Sequence, residues 1–192
     1  MASRRIPLVP ALALVAGCAW TSQRVNLRPT VDVTPVDFGR GQAVSVRVTD
    51  ERSRVALGNK IPTGGGELSP AEDPAEVVRA AIVLGLTRLG FTASGGQGAN
   101  ELDVELRAID YKVTQGFWAG ALNVDVAMKA VCSVDGRRVY EKLHRGHSDE
   151  SIQLAQTGSA NERYINSALS QAINNVLSDG ELLRCLASSP AR

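Results

Sequence analysis

The most regular hydrophobic rhythm in the chain lies between residues 122 and 134. There Leu122, Val124, Val126, Met128, Ala130, Cys132 and Val134 alternate with mostly polar neighbours. A period of two predicts a half-buried strand. Val44, Val46 and Val48 alternate in the same way, as do Leu102, Val104, Leu106 and Ala108. The phase then slips by one to Ile109, Tyr111 and Val113, which predicts a bulge. Asp135-Gly136 is a two-residue hairpin signal. Counting back across it pairs Cys132 with Val139 and Met128 with Leu143, and turns Cys132 toward the core. Shorter runs at residues 30–34 and 55–57 predict two more strands, the first ended by Pro35.

Two segments keep helical time instead. Val78, Ile82, Leu86 and Leu89 form one stripe with Val77, Ala81 and Leu84 beside it. Asp73 is placed to cap this helix, Pro74 to open it, Glu76 to complete a capping box and Gly90 to end it. Ile165, Leu169, Ala172, Ile173, Val176 and Leu177 make the second stripe, capped by Ser159 or Asn161 and closed by Gly180. Leu182, Leu183, Cys185 and Leu186 read as a short apolar turn folding back. The glycine- and proline-rich stretches at 62–73 and 95–98 read as loops. The predicted fold is α+β: an antiparallel or mixed sheet of about four to five strands, with two helices packed on one face.

The first residues follow a different logic. Arg4 and Arg5 precede the apolar run Ile6 to Ala16. That run is too short for a membrane span, which takes roughly 20 apolar residues, and it has the layout of a signal peptide. It ends in Leu14-Val15-Ala16-Gly17-Cys18, which resembles the lipobox of bacterial lipoproteins. The resemblance implies cleavage between Gly17 and Cys18. It also implies diacylglycerol, commonly with palmitate chains, on the Cys18 thiol. The organisation expected is a signal peptide over 1–17, a lipidated tether over 18–29, one domain over 30–187 and a tail over 188–192. Ala19 rather than Asp follows the cysteine. By analogy with lipoprotein sorting in enteric bacteria, that implies the outer membrane, with the domain facing the periplasm.

Composition narrows the function classes. The remaining 175 residues suffice for one domain with a sizeable core. Without Arg4 and Arg5, 19 basic and 20 acidic side chains remain, a net of −1. That balance offers no basic face for nucleic acid. With Cys18 acylated, Cys132 and Cys185 are left. In an oxidising compartment they fit either one disulfide or two separate thiols.

Several segments together resemble the YajG family of small bacterial lipoproteins: the lipobox, Val44 to Val48 leading to Asp50-Glu51-Arg52 and Leu57-Gly58, the helix end Leu89-Gly90-Phe91, Leu102 to Leu106 running on to Tyr111 and Gln115-Gly116, and the last helix from Ile165 to Asp179. The resemblance implies an envelope lipoprotein and carries no catalytic motif.

The candidate chemistry is sparse. His144 and His147 have a ligand-like spacing, but positions three apart on a strand face opposite ways, so no metal site is expected. The glycine clusters lack the Lys-Ser or Lys-Thr of a phosphate loop. Neither a serine elbow nor a paired-carboxylate set can be assembled. No catalytic residue and no cofactor is expected. Asp50 and Arg52 suit a turn-stabilising pair, and Arg47, Arg52 and Arg54 could gather as a small basic patch. Phe117 and Trp118, two aromatics between glycines at a strand connection, form the candidate interaction loop, or else a plug for the end of the sandwich. The function these features favour is a lipid-anchored, non-enzymatic interaction or accessory module whose partner is an envelope protein or its own copy. The alternatives are a binder of a small apolar ligand or lipid, and an enzyme acting on cell-wall material.

Overall fold

The computed structural model describes residues 20–94, 100–115, 120–152 and 158–188. Elements run in the order β1 (Gln23–Val25), β2 (Ala43–Asp50), β3 (Gly58–Asn59), β4 (Glu67–Pro70), α1 (Pro74–Arg88), β5 (Thr92–Ser94), β6 (Asn100–Gln115), β7 (Gly120–Val134), β8 (Arg137–Ile152), α2 (Gly158–Leu177) and α3 (Gly180–Leu186).

The backbone of the fold is the antiparallel meander β6–β7–β8. The other edge of β6 carries two short wings. Its first half pairs in parallel with β2, which pairs in parallel with β5. Its second half meets β3 at Tyr111, and β3 leads to β4 and then β1. The expected four to five strands and two helices are therefore corrected, among the described residues, to an eight-stranded mixed sheet with three helices. The added strands are two to four residues long, too short for a period of two to show. β4 lies inside the stretch read as a loop, and residues 30–34 and 55–57 are not strands. The apolar turn at 182–186 is the helix α3, capped by Asp179 through Glu181 and Leu182 N–H.

The expected bulge in β6 is present, between Leu106 and Ala108. A second, between Cys132 and Ser133, corrects the hairpin register: Cys132 pairs with Tyr140 and Met128 with His144. A one-residue slip turns every side chain of a strand to the opposite face. Val139 and Leu143 thus stand in solvent, 62% and 44% exposed, while Tyr140 and His144 point inward. Cys132 does face the core and is joined to Cys185 by a disulfide with Cα atoms 6.5 Å apart, tying β7 to α3.

The core lies between the inner face of the sheet and the helices. Leu102, Leu106, Ile109, Leu122, Met128, Ile165 and Leu169 are all sealed from water. Helix α1 starts as expected: Pro74 opens it and the Asp73 side chain accepts from Ala75 N–H. Glu76, assigned to a capping box, instead pairs with Arg79 one turn on. Asn161, a candidate cap of α2, lies inside that helix, buried, where it accepts from the Tyr111 hydroxyl at 2.7 Å and donates to Gln23. Burial pushes the Tyr111 phenol up to about 12.

Candidate functional site

The chain enters the domain earlier than residue 30. Val25 and Leu27 are fully buried and Gln23–Val25 is a strand, so most of the stretch expected as a tether belongs to the fold. Beyond β1, residues 26–32 lie extended along α2 and are stitched to it at every second position. Asn26 N–H donates to the Glu162 carboxylate, Arg28 N–H to Asn166, Thr30 N–H to Ser170 and Asp32 N–H to Asn174. The Asn166 and Asn174 side-chain amides donate back to the carbonyls of Asn26 and Thr30. The periods match: four helical residues rise about 6.0 Å, and two extended residues advance about 6.2–6.8 Å. One flank of α2 thus stands in for a neighbouring strand.

The other flank does the same for β8. Gln171 accepts from His147 N–H at 2.5 Å, and Asn175 donates to the Arg145 carbonyl at 2.8 Å. Gly146 lies under the helix, where an added Cβ would stand 1.9 Å from the Ala168 carbonyl oxygen. The middle of the β8 edge is therefore closed to strand addition. Helix α2 bridges that edge and the strap, and the sheet curls around it.

At the start of the strap, Trp20 is 66% exposed yet held. A Cβ on Gly65 would meet its ring at 2.6 Å and the Ile61 side chain at 2.7 Å. Trp20 therefore lies against the β3–β4 turn.

The two histidines point to opposite faces, as their spacing requires. His144 is buried, with Nε2 3.0 Å from the Tyr140 hydroxyl. Burial pushes the Tyr140 phenol well above its ordinary range, with the nearby Asp179 carboxylate adding to the effect. Burial pushes the Asp179 carboxyl up, but bonds from Lys142, Leu182 N–H, Tyr140 and Glu181 N–H outweigh this and hold it well below the usual range. Burial pushes the His144 imidazole down, with Lys142 adding to the effect and Asp179 opposing it. On the outer face, His147 Nδ1 lies 2.9 Å from Asp125 and Nε2 3.6 Å from Asp149. Among the described residues, no group of three or more His, Cys, Asp or Glu side chains could hold a metal ion.

Asp50 and Arg52 form the turn pair in bidentate geometry, 2.8 and 2.7 Å, with the arginine side chain almost buried. The expected arginine patch is divided: Arg47 pairs with Asp103 and Arg54 with Asp110. Arg52, Arg54 and Arg107 line a cavity of about 160 Å³ at the β6 bulge, between the two wings. Arg107 pairs with Glu105, so each arginine has a carboxylate and the charges cancel. Gly17 and Cys18, with the signal peptide, the tail from residue 189, and Phe117 and Trp118 lie outside the described residues. Sequence reasoning missed the stitching by α2, although Asn, Ser and Gln crowd the flanks of that helix at a spacing of four.

This geometry defines an α+β domain whose curled mixed sheet is closed by a helix. A family model described as "Uncharacterized lipoprotein" matches residues 29–187, and the chain belongs to that bacterial lipoprotein family. The family indicates a membrane-anchored envelope protein. Among solved structures, protein XCC0632 from Xanthomonas campestris superposes with a TM-score of 0.54 at 17% identity, over 84% of this chain and 95% of that one. A minor lipoprotein from Acinetobacter baumannii gives 0.43 at 9% identity, over 76% and 92%. The first likeness is one of fold. No curated protein matches the chain.

Proposed function

We propose that this protein is an outer-membrane lipoprotein of the YajG type, carried on acylated Cys18 and facing the periplasm. It acts there without catalysis of its own, as an interaction or accessory module for an envelope partner. The observation that carries the reading is the strap. Five residues past the lipobox cysteine the chain enters a strand, and over the next ten it is stitched to α2. An anchor at Cys18 would then present the whole domain close to the membrane in one orientation, as suits a protein that holds a surface toward a partner. The filled core favours this over a ligand binder, since the side chains between sheet and helices are almost all sealed from water. His144, bonded to Tyr140 within the core, is poorly placed to serve a hydrolase.

The test is mass spectrometry of the membrane-extracted protein, followed by crosslinking in intact membranes. A mature chain starting at Cys18 with acyl mass, absent from Cys18→Ala, supports the anchor. A reproducible crosslinked partner lost in Phe117→Ala/Trp118→Ala supports the module. An unacylated chain refutes the first part, and an acylated chain with no reproducible partner refutes the second.

A further inference from the structure

We infer that Trp20 and the adjoining turn of residues 60–66 form a bilayer-seating surface, with the Trp20 indole at the level of the lipid headgroups. This rests on Cys18 carrying the anchor.

Three observations carry it. The first is reach. Trp20 lies two positions after Cys18, so their Cα atoms can lie no more than about 7 Å apart. The headgroup layer of a bilayer is about 5–7 Å deep on each side. With acyl chains on Cys18, Trp20 cannot leave that layer by much more than its own length. The second is pose. Trp20 rests on Gly65 and Ile61 with two-thirds of its surface uncovered. A tryptophan body that is apolar, with one N–H to place, suits an interface that is apolar on one side and wet on the other. Because the ring is held against the β3–β4 turn, that turn approaches the membrane with it. Pro62, Thr63 and Gly64 form its exposed tip. The third is charge. Residues 18–31 and 58–66 contain no carboxylate; of their cations, Arg28 is paired with Glu72 and Arg24 bonds the Ala71 carbonyl. Nothing in these two segments repels lipid phosphates.

The test uses the full-length acylated protein in vesicles of phosphatidylethanolamine and phosphatidylglycerol. The chain has two tryptophans, so Trp118→Phe leaves Trp20 as the sole reporter. The expected result is at least a threefold fall in acrylamide quenching of Trp20 relative to the detergent-free Cys18→Ala form, with strong quenching by lipids brominated near the headgroup. A nitroxide at Thr63→Cys, in the otherwise natural chain, should show reduced access to a water-soluble relaxant. Trp20 open to acrylamide on acylated protein overturns the proposal. So does protection from acrylamide without bromolipid quenching, which would mean that protein, not lipid, covers the ring. A chain without acyl mass overturns the anchor itself, and mass spectrometry of the same sample separates that failure from the others.

Discussion

Gly146→Ala would test the claim that α2 closes the sheet. Gly146 is in ordinary strand conformation, so a methyl group adds no backbone strain there. What it meets is the helix. Its Cβ would stand 1.9 Å from the Ala168 carbonyl oxygen and 2.6 Å from the Ala172 nitrogen, both backbone atoms that no rotamer can move. An ordinary carbon–oxygen contact needs about 3.3 Å, so helix and strand must part by more than 1 Å locally. Overpacking of this kind costs about 1–3 kcal/mol. The same separation stretches the Gln171–His147 and Asn175–Arg145 bonds, each contributing about 1 kcal/mol. The expected loss is about 3–5 kcal/mol, measured by urea unfolding of the oxidised domain lacking residues 1–17, with the Cys132–Cys185 bond intact in both forms. A loss below about 0.5 kcal/mol would show that α2 does not press on β8, and the closed-edge reading would fall with it.

Other outcomes follow from the same contacts. Replacing both Cys132 and Cys185 by Ala frees a loop of 53 residues. It should lower stability by about 4 kcal/mol on the chain-entropy account; unfolding midpoints equal to those of the native chain would contradict it. Asn166→Ala with Asn174→Ala removes four bonds to the strap and should release residues 26–32 first, read as faster hydrogen exchange there while β6 and β7 stay protected. Asn100→Asp replaces the amide that donates to the Leu186 and Ser188 carbonyls by a buried acceptor. It should cost more than Asn100→Ala, with thermal melting as the measure. His144 is pushed down by burial, so the unfolded chain binds its proton at a higher pH than the folded one. Stability should therefore be full above about pH 6.5 and fall as pH drops below it; His144→Gln should flatten that slope, and an unchanged slope would refute the assignment.

The long elements were legible because each repeats one period many times. Fifteen residues of β7 and the apolar stripe of α2 leave little choice of face. The phase slip at Leu106 announced its bulge because large apolar residues flank it on both sides. The bulge near Ser133 was silent. Val139 and Tyr140 are adjacent and both apolar enough to face inward, so the count across Asp135-Gly136 chose Val139, and the true pairing turned Leu143 outward. β1, β3 and β4 stayed hidden because their partners are remote and their lengths of two to four residues carry no period. The strap was hidden for another reason. Its backbone bonds go to side chains on a helix, a pairing that no alternation in residues 26–32 reveals. The Cys132–Cys185 pair was open to two readings from sequence, since only the packing of α3 against β7 sets their distance.

The stitches between strap and α2 join residues 136 to 144 positions apart in the chain. Contacts of such long range are slow to form, because loop-closure entropy must be met before they contribute. The buried Val25 and Leu27 therefore have no finished surface to lie on until α2 exists. The N-terminal end, first to be synthesised, is among the last to be fixed. A chain wired in this way stays pliable along most of its length while it is being made, and closes only when its C-terminal helices arrive to receive its beginning.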